Sequence, residues 1–448
     1  MFGCLAAELN DLFQVPELHE GCLLRSSLVN YNCACRKLGR RGSLDETDPM
    51  LNPNLAPFGH YTFARLNAIL ADLVPLSNEP PVLFSLGEPQ KQPPPLLADT
   101  IAAHEGLWNR YPPPAGDEAF RSAVLGWLRR RFNLPEGFID PERNIVPVPG
   151  TREPLYQIGF LCTPPEKAGK RPAVLMPNPF YHVYQGAAVV GGGEPIYLPA
   201  RRENHFLPVL EDLSEDLLAR TSIFFLCTPA NPQGTTASAD YLKRAIELAR
   251  EHDFVLALDE CYCEIYRGEA PVGGLEACAA LGKDLDNVIS FQSLSKRSSA
   301  PGLRSGFLAG DAQIIERYRQ FVTFGGSPLP LPVLHASTAL WNDDAHVVEN
   351  RAYYAENFRL AEEILGPHID LNIPTAGFFL WLDVGDGVQA ARTLWQEAAI
   401  KTLPGALMGR DDEHGRNPGA AYLRIALVYG PEKTERGLRR LAQILFRS

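Results

Sequence analysis

The chain has 448 residues, 45% of them hydrophobic and 21% charged, ordinary globular usage that argues against disorder, collagen and coiled coil. Its net charge of −11 lacks the cationic surplus that neutralises phosphates, which disfavours a general nucleic-acid binder. No apolar run approaches the ~18 residues of a spanning helix. Glu8, Asp11, Glu17 and Glu20 occupy the region where a secretory signal would be basic and then apolar, so the nine cysteines read as reduced thiols in a cytoplasmic protein.

Residues 1–49 carry Cys4, Cys22, Cys33 and Cys35, a basic run from Arg36 to Arg41, and no sustained period. They read as a poorly ordered leader ahead of Met50. The competing reading is a metal-binding or regulatory arm, but Cys33 and Cys35 supply only two of the four ligands that a structural metal site wants. Short β-rich runs then recur at Ile145–Val148, Ala173–Met176, Pro195–Leu198, Ser222–Cys227, Phe254–Leu258 and Val288–Phe291. Between them, Tyr241–His252 places Leu242, Ile246 and Ala249 on one helical face. This alternation predicts an α/β fold with a mostly parallel sheet and helices on both faces, binding ligands beyond the carboxyl ends of its strands. Past residue 345 the pattern changes: Ala345–Leu365 reads as helix, and Gly377–Leu382 and Ala421–Leu427 as strands of a second domain. The proline patches Pro93–Pro95, Pro112–Pro114 and Pro328–Pro332 read as loops.

Four segments at strand ends concentrate chemistry. Val148-Pro-Gly150-Thr151-Arg152-Glu-Pro154 joins a strand to a helix start through a glycine turn, which leaves unpaired N–H groups for an anion. Cys227-Thr-Pro-Ala-Asn231-Pro-Gln-Gly234 fixes Asn231 between two prolines, as a rigid donor or as simple turn chemistry. Asp259 closes an apolar strand, where a carboxylate needs a partner to stay ionised, and Tyr262 follows three residues later. A protonated heterocyclic nitrogen would be such a partner; the plainer alternatives are a helix N-cap and ordinary packing. Last, Ser293-Leu-Ser-Lys296-Arg297 and Arg304 put a lysine among serines and cations, which suits a phosphate and lowers the lysine pKa toward a nucleophilic amine. The alternative for Lys296 is a solvated loop lysine.

In this order the motifs resemble those of fold-type I pyridoxal-phosphate aminotransferases of class I/II, from about Asn52 to the C-terminus. Ser293–Phe307, Gly150–Glu153 and Asn178–Tyr184 are particularly similar to the bacterial N-succinyldiaminopimelate aminotransferases. The resemblance implies a seven-stranded sheet in a large domain over residues 99–345. A smaller α+β domain would be built from residues 50–98 and 346–448. It implies pyridoxal 5′-phosphate as cofactor, and amino acids and oxo acids as substrates. Lys296 would bond the cofactor aldehyde and shuttle a proton, Asp259 would pair with the ring nitrogen, and Asn231 and Tyr262 would bond the ring oxygen. Tyr181 would stack on the ring, while Thr151, Arg152, Ser293 and Arg304 would hold the phosphate. Tyr111 resembles the tyrosine that reaches the neighbouring subunit's phosphate, implying a homodimer with shared sites. Arg424, inside an apolar strand, resembles the arginine that binds the substrate α-carboxylate, with Gly87 beside it; its alternative is a structural salt bridge. Glutamate would be the donor and N-succinyl-2-amino-6-oxopimelate the acceptor.

The loop Asn231-Pro-Gln233-Gly departs from the usual Asn-Pro-Thr-Gly, and Gln90-Lys91 replace the Lys-His that tends to follow Gly87-Glu-Pro in the succinyldiaminopimelate enzymes. A lyase on the same scaffold would share Lys296 and Asp259. A cofactor-sensing regulator would need a DNA-binding domain, for which residues 1–49 are too aperiodic. Gly191–Gly193 lacks the spacing of a dinucleotide fingerprint, and Cys261 and Cys263 read as packing residues rather than metal ligands.

Overall fold

In a computed structural model of the protein, the described residues are 52–58, 61–282 and 284–446. The chain divides into two units, Met1–Ala56 and Pro57–Ser448. Of the first, only residues 52–56 are described, so the leader reading for 1–49 lies outside the described residues. Both sheets and the helices that cover them belong to the second unit.

Seven strands form one sheet: β1 (Ile145–Val148), β2 (Ala173–Asn178), β3 (Glu194–Pro199), β4 (Thr221–Cys227), β5 (Val255–Asp259), β6 (Val288–Ser293) and β7 (Gly306–Gly310). They lie in the order β1-β7-β6-β5-β4-β2-β3. The run β3-β2-β4-β5-β6 is parallel, and β7 is antiparallel to both β6 and β1. All seven residues of β4 are buried, as expected for a strand covered on both faces. One core packs Trp127, Phe132, Leu226, Leu258 and Trp341 together, and another joins Val148, Met176, Tyr184, Phe225 and Phe291. The Ala239–Glu251 helix buries Leu242, Ala245, Ile246 and Ala249 as one stripe, and the Ser238 side chain caps its start by accepting from the Tyr241 N–H.

A separate antiparallel sheet has the order β8-β10-β9, from β8 (Phe379–Asp383), β9 (Leu403–Pro404) and β10 (Tyr422–Ala426). The stretch near Val82 runs alongside it: Val82 bridges Ile400, and the Ala426 N–H donates to the Phe84 carbonyl at 2.8 Å. That path carries Gly87 to the carboxyl ends of the large sheet's strands.

The α/β architecture follows the sequence expectation, and the helix Ala345–Leu365 has the expected bounds. Two strands escape the sequence pattern. β7 is five residues bounded by glycines, and β9 is two residues, both too short for a period to register. The loop reading of the proline patches is corrected at two places. Pro95 opens the Pro95–Ala103 helix and Pro332 lies in the first turn of Leu331–Asn342, where the missing N–H costs nothing.

Candidate active site

Because β4, β5 and β6 are parallel and in register, with Cys227 opposite Asp259 and Asp259 opposite Phe291, their carboxyl ends open on one side. There lies a cavity of about 480 Å³ lined by Asp259, Tyr262, Ser293, Lys296 and Arg424, among others.

Lys296 sits on the single helical turn Leu294–Arg297 directly after β6. The Ser293 hydroxyl starts that turn by accepting from the Ser295 N–H at 3.1 Å. Lys296 Nζ donates to the Gly87 carbonyl at 2.6 Å and lies 5.8 Å and 5.2 Å from the ring centres of Tyr262 and Phe378. Burial pushes its ammonium down to about 8, so the solvated-lysine reading falls. Asn350 Nδ2 clamps the turn, donating to the carbonyls of Lys296 (3.0 Å) and Arg297 (3.1 Å). Arg297 is no surface residue either: it is 2% exposed, donates to the Leu340 carbonyl (2.6 Å) and Asp344 Oδ1 (2.8 Å), and lies 3.5 Å from Glu264 Oε1.

Asp259, the last residue of β5, is buried, and no helix begins after it, so the N-cap alternative falls too. Its Oδ2 accepts from the Tyr184 hydroxyl at 2.8 Å. Burial pushes the carboxyl pKa up, against that bond and the charge of Lys296; a cation bound at the site would restore the carboxylate. Tyr262 packs edge-on against Phe378 and Phe379, with ring centres 5.3 Å and 5.7 Å away, and still lines the cavity.

Arg424, at the centre of β10, is buried and stacks 4.4 Å over the Phe379 ring. Nη1 donates to Asn231 Oδ1 (2.9 Å) and Nη2 to the Ser85 carbonyl (2.7 Å), while Nε has no partner among the described residues. Burial holds its pKa down to about 10, and it forms no ion pair among the described residues. The structural salt-bridge alternative is thereby corrected. A buried guanidinium bonded only to neutral oxygens can take a carboxylate. A Cβ at Gly87 would stand 2.8 Å from Phe379 Cζ, so a larger residue there would displace that ring.

The opposite end suits a phosphate. Gly150 has φ +77°, and a Cβ on it would lie 2.7 Å from Arg304 Nη2. The helix Arg152–Cys162 starts immediately after, presenting its first-turn N–H groups. Arg304 Nη2 donates to Glu153 Oε2 (3.0 Å) and the Pro149 carbonyl (3.1 Å). The Tyr181 hydroxyl accepts from Arg152 Nε at 2.9 Å, and burial raises this phenol to about 12.

The cavity thus brings together Gly87, Thr151, Arg152, Tyr181, Asn231, Asp259, Tyr262, Ser293, Lys296, Arg304 and Arg424. Tyr111 stands apart from it and is fully exposed. Two residues escaped the sequence reading. Ser295 lines the cavity beside Lys296, and its place in the Ser-Leu-Ser-Lys run was the available signal. Tyr184 bonds Asp259 from a helix whose buried face reads as ordinary core. Cys263 donates to Gln292 Oε1 at 3.3 Å inside the fold, a packing role. The donor set fits pyridoxal phosphate: an anion cradle, a buried carboxylate in want of a cation, a weakly basic amine, and a carboxylate receptor beyond it.

Comparison with known proteins agrees. The pattern of the class I and II aminotransferases matches residues 79–441. An aminotransferase of Neisseria meningitidis, known from its crystal structure, is 37% identical, covers 88% of this chain and 100% of its own, and superposes with a TM-score of 0.84. An LL-diaminopimelate aminotransferase of Dehalococcoides mccartyi is 28% identical over 397 residues, covering 87% of this chain and 96% of its own. A 4-dedimethylamino-4-oxo-anhydrotetracycline transaminase of Streptomyces rimosus is 31% identical over 363 residues, covering 80% and 92%. The chain belongs to the class I and II aminotransferases, enzymes that depend on pyridoxal phosphate.

Proposed function

We propose that the protein transaminates between glutamate/2-oxoglutarate and N-succinyl-L,L-2,6-diaminopimelate, a step toward lysine and cell-wall diaminopimelate. The observation that carries the reading is the cavity itself, in which a buried amine at about 8 shares one space with Asp259 and with a guanidinium, that of Arg424, that has no carboxylate partner. The similarity to LL-diaminopimelate aminotransferases supports the pathway and also supplies the second reading, unsuccinylated L,L-diaminopimelate as the amino donor.

Bound in this cavity, pyridoxal phosphate supplies an aldehyde carbon for the amine and a ring that takes up the electrons released at the substrate Cα. Thr151 and Arg152 N–H groups, Ser293 and Arg304 would hold the phosphate. Asp259, oriented by Tyr184, would hold the proton on the ring nitrogen, and Asn231 and Tyr262 would bond the ring oxygen. Tyr181 would pack against the ring. Lys296 Nζ, neutral above about pH 8, would serve as the base that takes the proton from the substrate Cα and holds it for return. Arg424 grips the α-carboxylate in two-pronged fashion, with Gly87 beside it.

Tyr111 serves the phosphate of a second subunit, so the working unit is a cytoplasmic homodimer. Its full exposure in one protomer, with that of Phe324 and half-exposed Trp108, supports this reading. Residues 50–98 and 346–448 form the smaller domain and 99–345 the larger, a division supported by the pairing of the Val82–Phe84 stretch with Ile400 and Ala426.

The test is to incubate the holoprotein with glutamate and N-succinyl-2-amino-6-oxopimelate and to measure 2-oxoglutarate and the succinylated diamine. Production of both at a kcat/KM well above that for the reverse assay with free L,L-diaminopimelate supports the first reading. The opposite ranking selects the second, and if neither 2-oxoglutarate forms from glutamate in the first assay nor glutamate from 2-oxoglutarate in the second, both are overturned.

A further inference from the structure

A second cavity, of about 420 Å³, adjoins the first: Tyr61, Thr62, Arg152, Glu153 and His182 line both. Its walls are aromatic on one side, where Phe58 and Tyr156 lie 6.4 Å apart and Tyr61 stands edge-on to His182 at 5.3 Å. Three guanidinium groups enter it, from Arg65, Arg152 and Arg410. None of the three forms an ion pair among the described residues.

Arg410 and Arg152 are held by hydrogen bonds, whereas Arg65 is not. Arg65 rises from the Thr62–Ile69 helix, and its side chain makes no hydrogen bond to a described residue. Arg410 is fixed through its backbone, because Asn178 Oδ1 accepts from its N–H (3.0 Å) and Asn178 Nδ2 donates to its carbonyl (2.9 Å). Its guanidinium lies 5.2 Å over the Phe180 ring and, among the described residues, bonds only neutral acceptors: Gln185 Oε1 (2.5 Å), the Gly409 carbonyl (3.0 Å) and the Tyr197 phenol. Arg152 bonds the neutral Tyr181 phenol. Of the nearby carboxylates, Glu153 is engaged by Arg304, and Asp411, which acts on Arg65 electrostatically, accepts from Asn417 Nδ2 (3.0 Å). His182 is held neutral by burial and by Arg152 and Arg410, its pKa lowered to about 4.

We infer that this cavity is a distal subsite for the acidic far end of the substrate, with Arg65 and Arg410 as its specificity-determining residues. The inference rests on the transaminase reading of the first cavity, in which Arg424 takes the α-carboxylate. A chain running from Arg424 past Tyr181 and His182 delivers its far end among cations that form no ion pair among the described residues. A distal carboxylate is stabilised there, whereas a distal ammonium meets like charge. The ligand class is therefore an α-amino acid ending in one or more carboxylates and no free amine, which an N-succinyl cap provides and unmodified diaminopimelate does not.

The experiment titrates the holoprotein with α-aminopimelate, which ends in a carboxylate, and with α-aminoheptanoate, which ends in a methyl group, reading the change in cofactor absorbance. Wild type half-saturates with the diacid at a concentration at least about tenfold lower. Arg65→Gln and Arg410→Gln each reduce that ratio to within about threefold and leave the neutral chain unaffected. A wild-type ratio near one, variants that keep the full ratio, or variants that weaken both chains equally would overturn the subsite. Should the diacid preference appear and depend on the arginines while N-succinyl-2-amino-6-oxopimelate is not a substrate, the subsite stands and the proposed substrate falls. If no amino acid, glutamate included, changes the absorbance, both fall together.

Discussion

The Tyr184 hydroxyl donates to Asp259 Oδ2 at 2.8 Å, and this bond sets the geometry of the carboxylate at the centre of the cavity. The Tyr184 ring is stacked on Phe225, with centres 4.8 Å apart and planes 7° from parallel, so the phenol is held by packing and points only one way. Tyr184→Phe keeps that packing and removes a single donor. Hydrogen bonds to charged groups contribute about 1.5–3 kcal/mol, so cofactor affinity falls about tenfold or more in equilibrium dialysis, with the thermal midpoint little changed. Unchanged affinity would show that Asp259 does not depend on Tyr184.

The scaffold behind Lys296 is electrostatic. Glu264, buried, faces Arg351 (3.0 Å), Arg131 (3.5 Å) and Arg297 (3.5 Å) and accepts from Trp127 Nε1 (2.7 Å). Its removal leaves buried cations uncompensated, at a cost of about 3–5 kcal/mol. Glu264→Gln accordingly lowers the denaturation midpoint by several degrees. The exposed Glu363, paired with Arg359 at 2.7 Å, is the control: Glu363→Gln leaves the midpoint where it was.

How much of this was legible in the sequence depended on whether a residue violated its surroundings. Asp259 and Arg424 stood out because a charge within an apolar strand demands a partner, and Lys296 because of the serines and cations around it. Tyr184 violates nothing. It lies on a helix of Val, Ala and Gly where a phenol reads as core, and its function comes from a residue 75 positions away. Strand β7 was hidden for a different reason: Gly306 and Gly310 pack against the β6 backbone, and five residues leave no room for a period. Arg65 and Arg410 gave no signal at all, since solvated arginines are common and only the fold brings these two to one cavity.

The Lys296 amine, lowered by burial to about 8, is protonated below that pH and neutral above it. Only the neutral amine attacks the cofactor aldehyde. Cofactor capture by the apoprotein should therefore accelerate about tenfold per pH unit below 8 and level off above, when followed by stopped-flow absorbance at a series of pH values. A profile that keeps rising to pH 10 would place the amine in water rather than in this cavity.

Arg424 lines the cavity while Asn231 and Ser85 hold its two terminal nitrogens. Arg424→Lys preserves charge and loses the fork. It should raise KM for glutamate by about tenfold to a hundredfold, equivalent to about 1.4–2.8 kcal/mol, with cofactor binding intact. If KM stays at the wild-type value, the α-carboxylate binds elsewhere.

Lys296 as the amine that bonds the cofactor and moves the proton is tested most directly by absorption spectra of the purified holoprotein and of Lys296→Ala, each before and after glutamate. The wild type should show a visible cofactor band that glutamate converts to the pyridoxamine form with release of 2-oxoglutarate. Lys296→Ala should show no catalytic turnover. A wild type that takes up no cofactor, or a Lys296→Ala protein that transaminates like the wild type, would contradict that role.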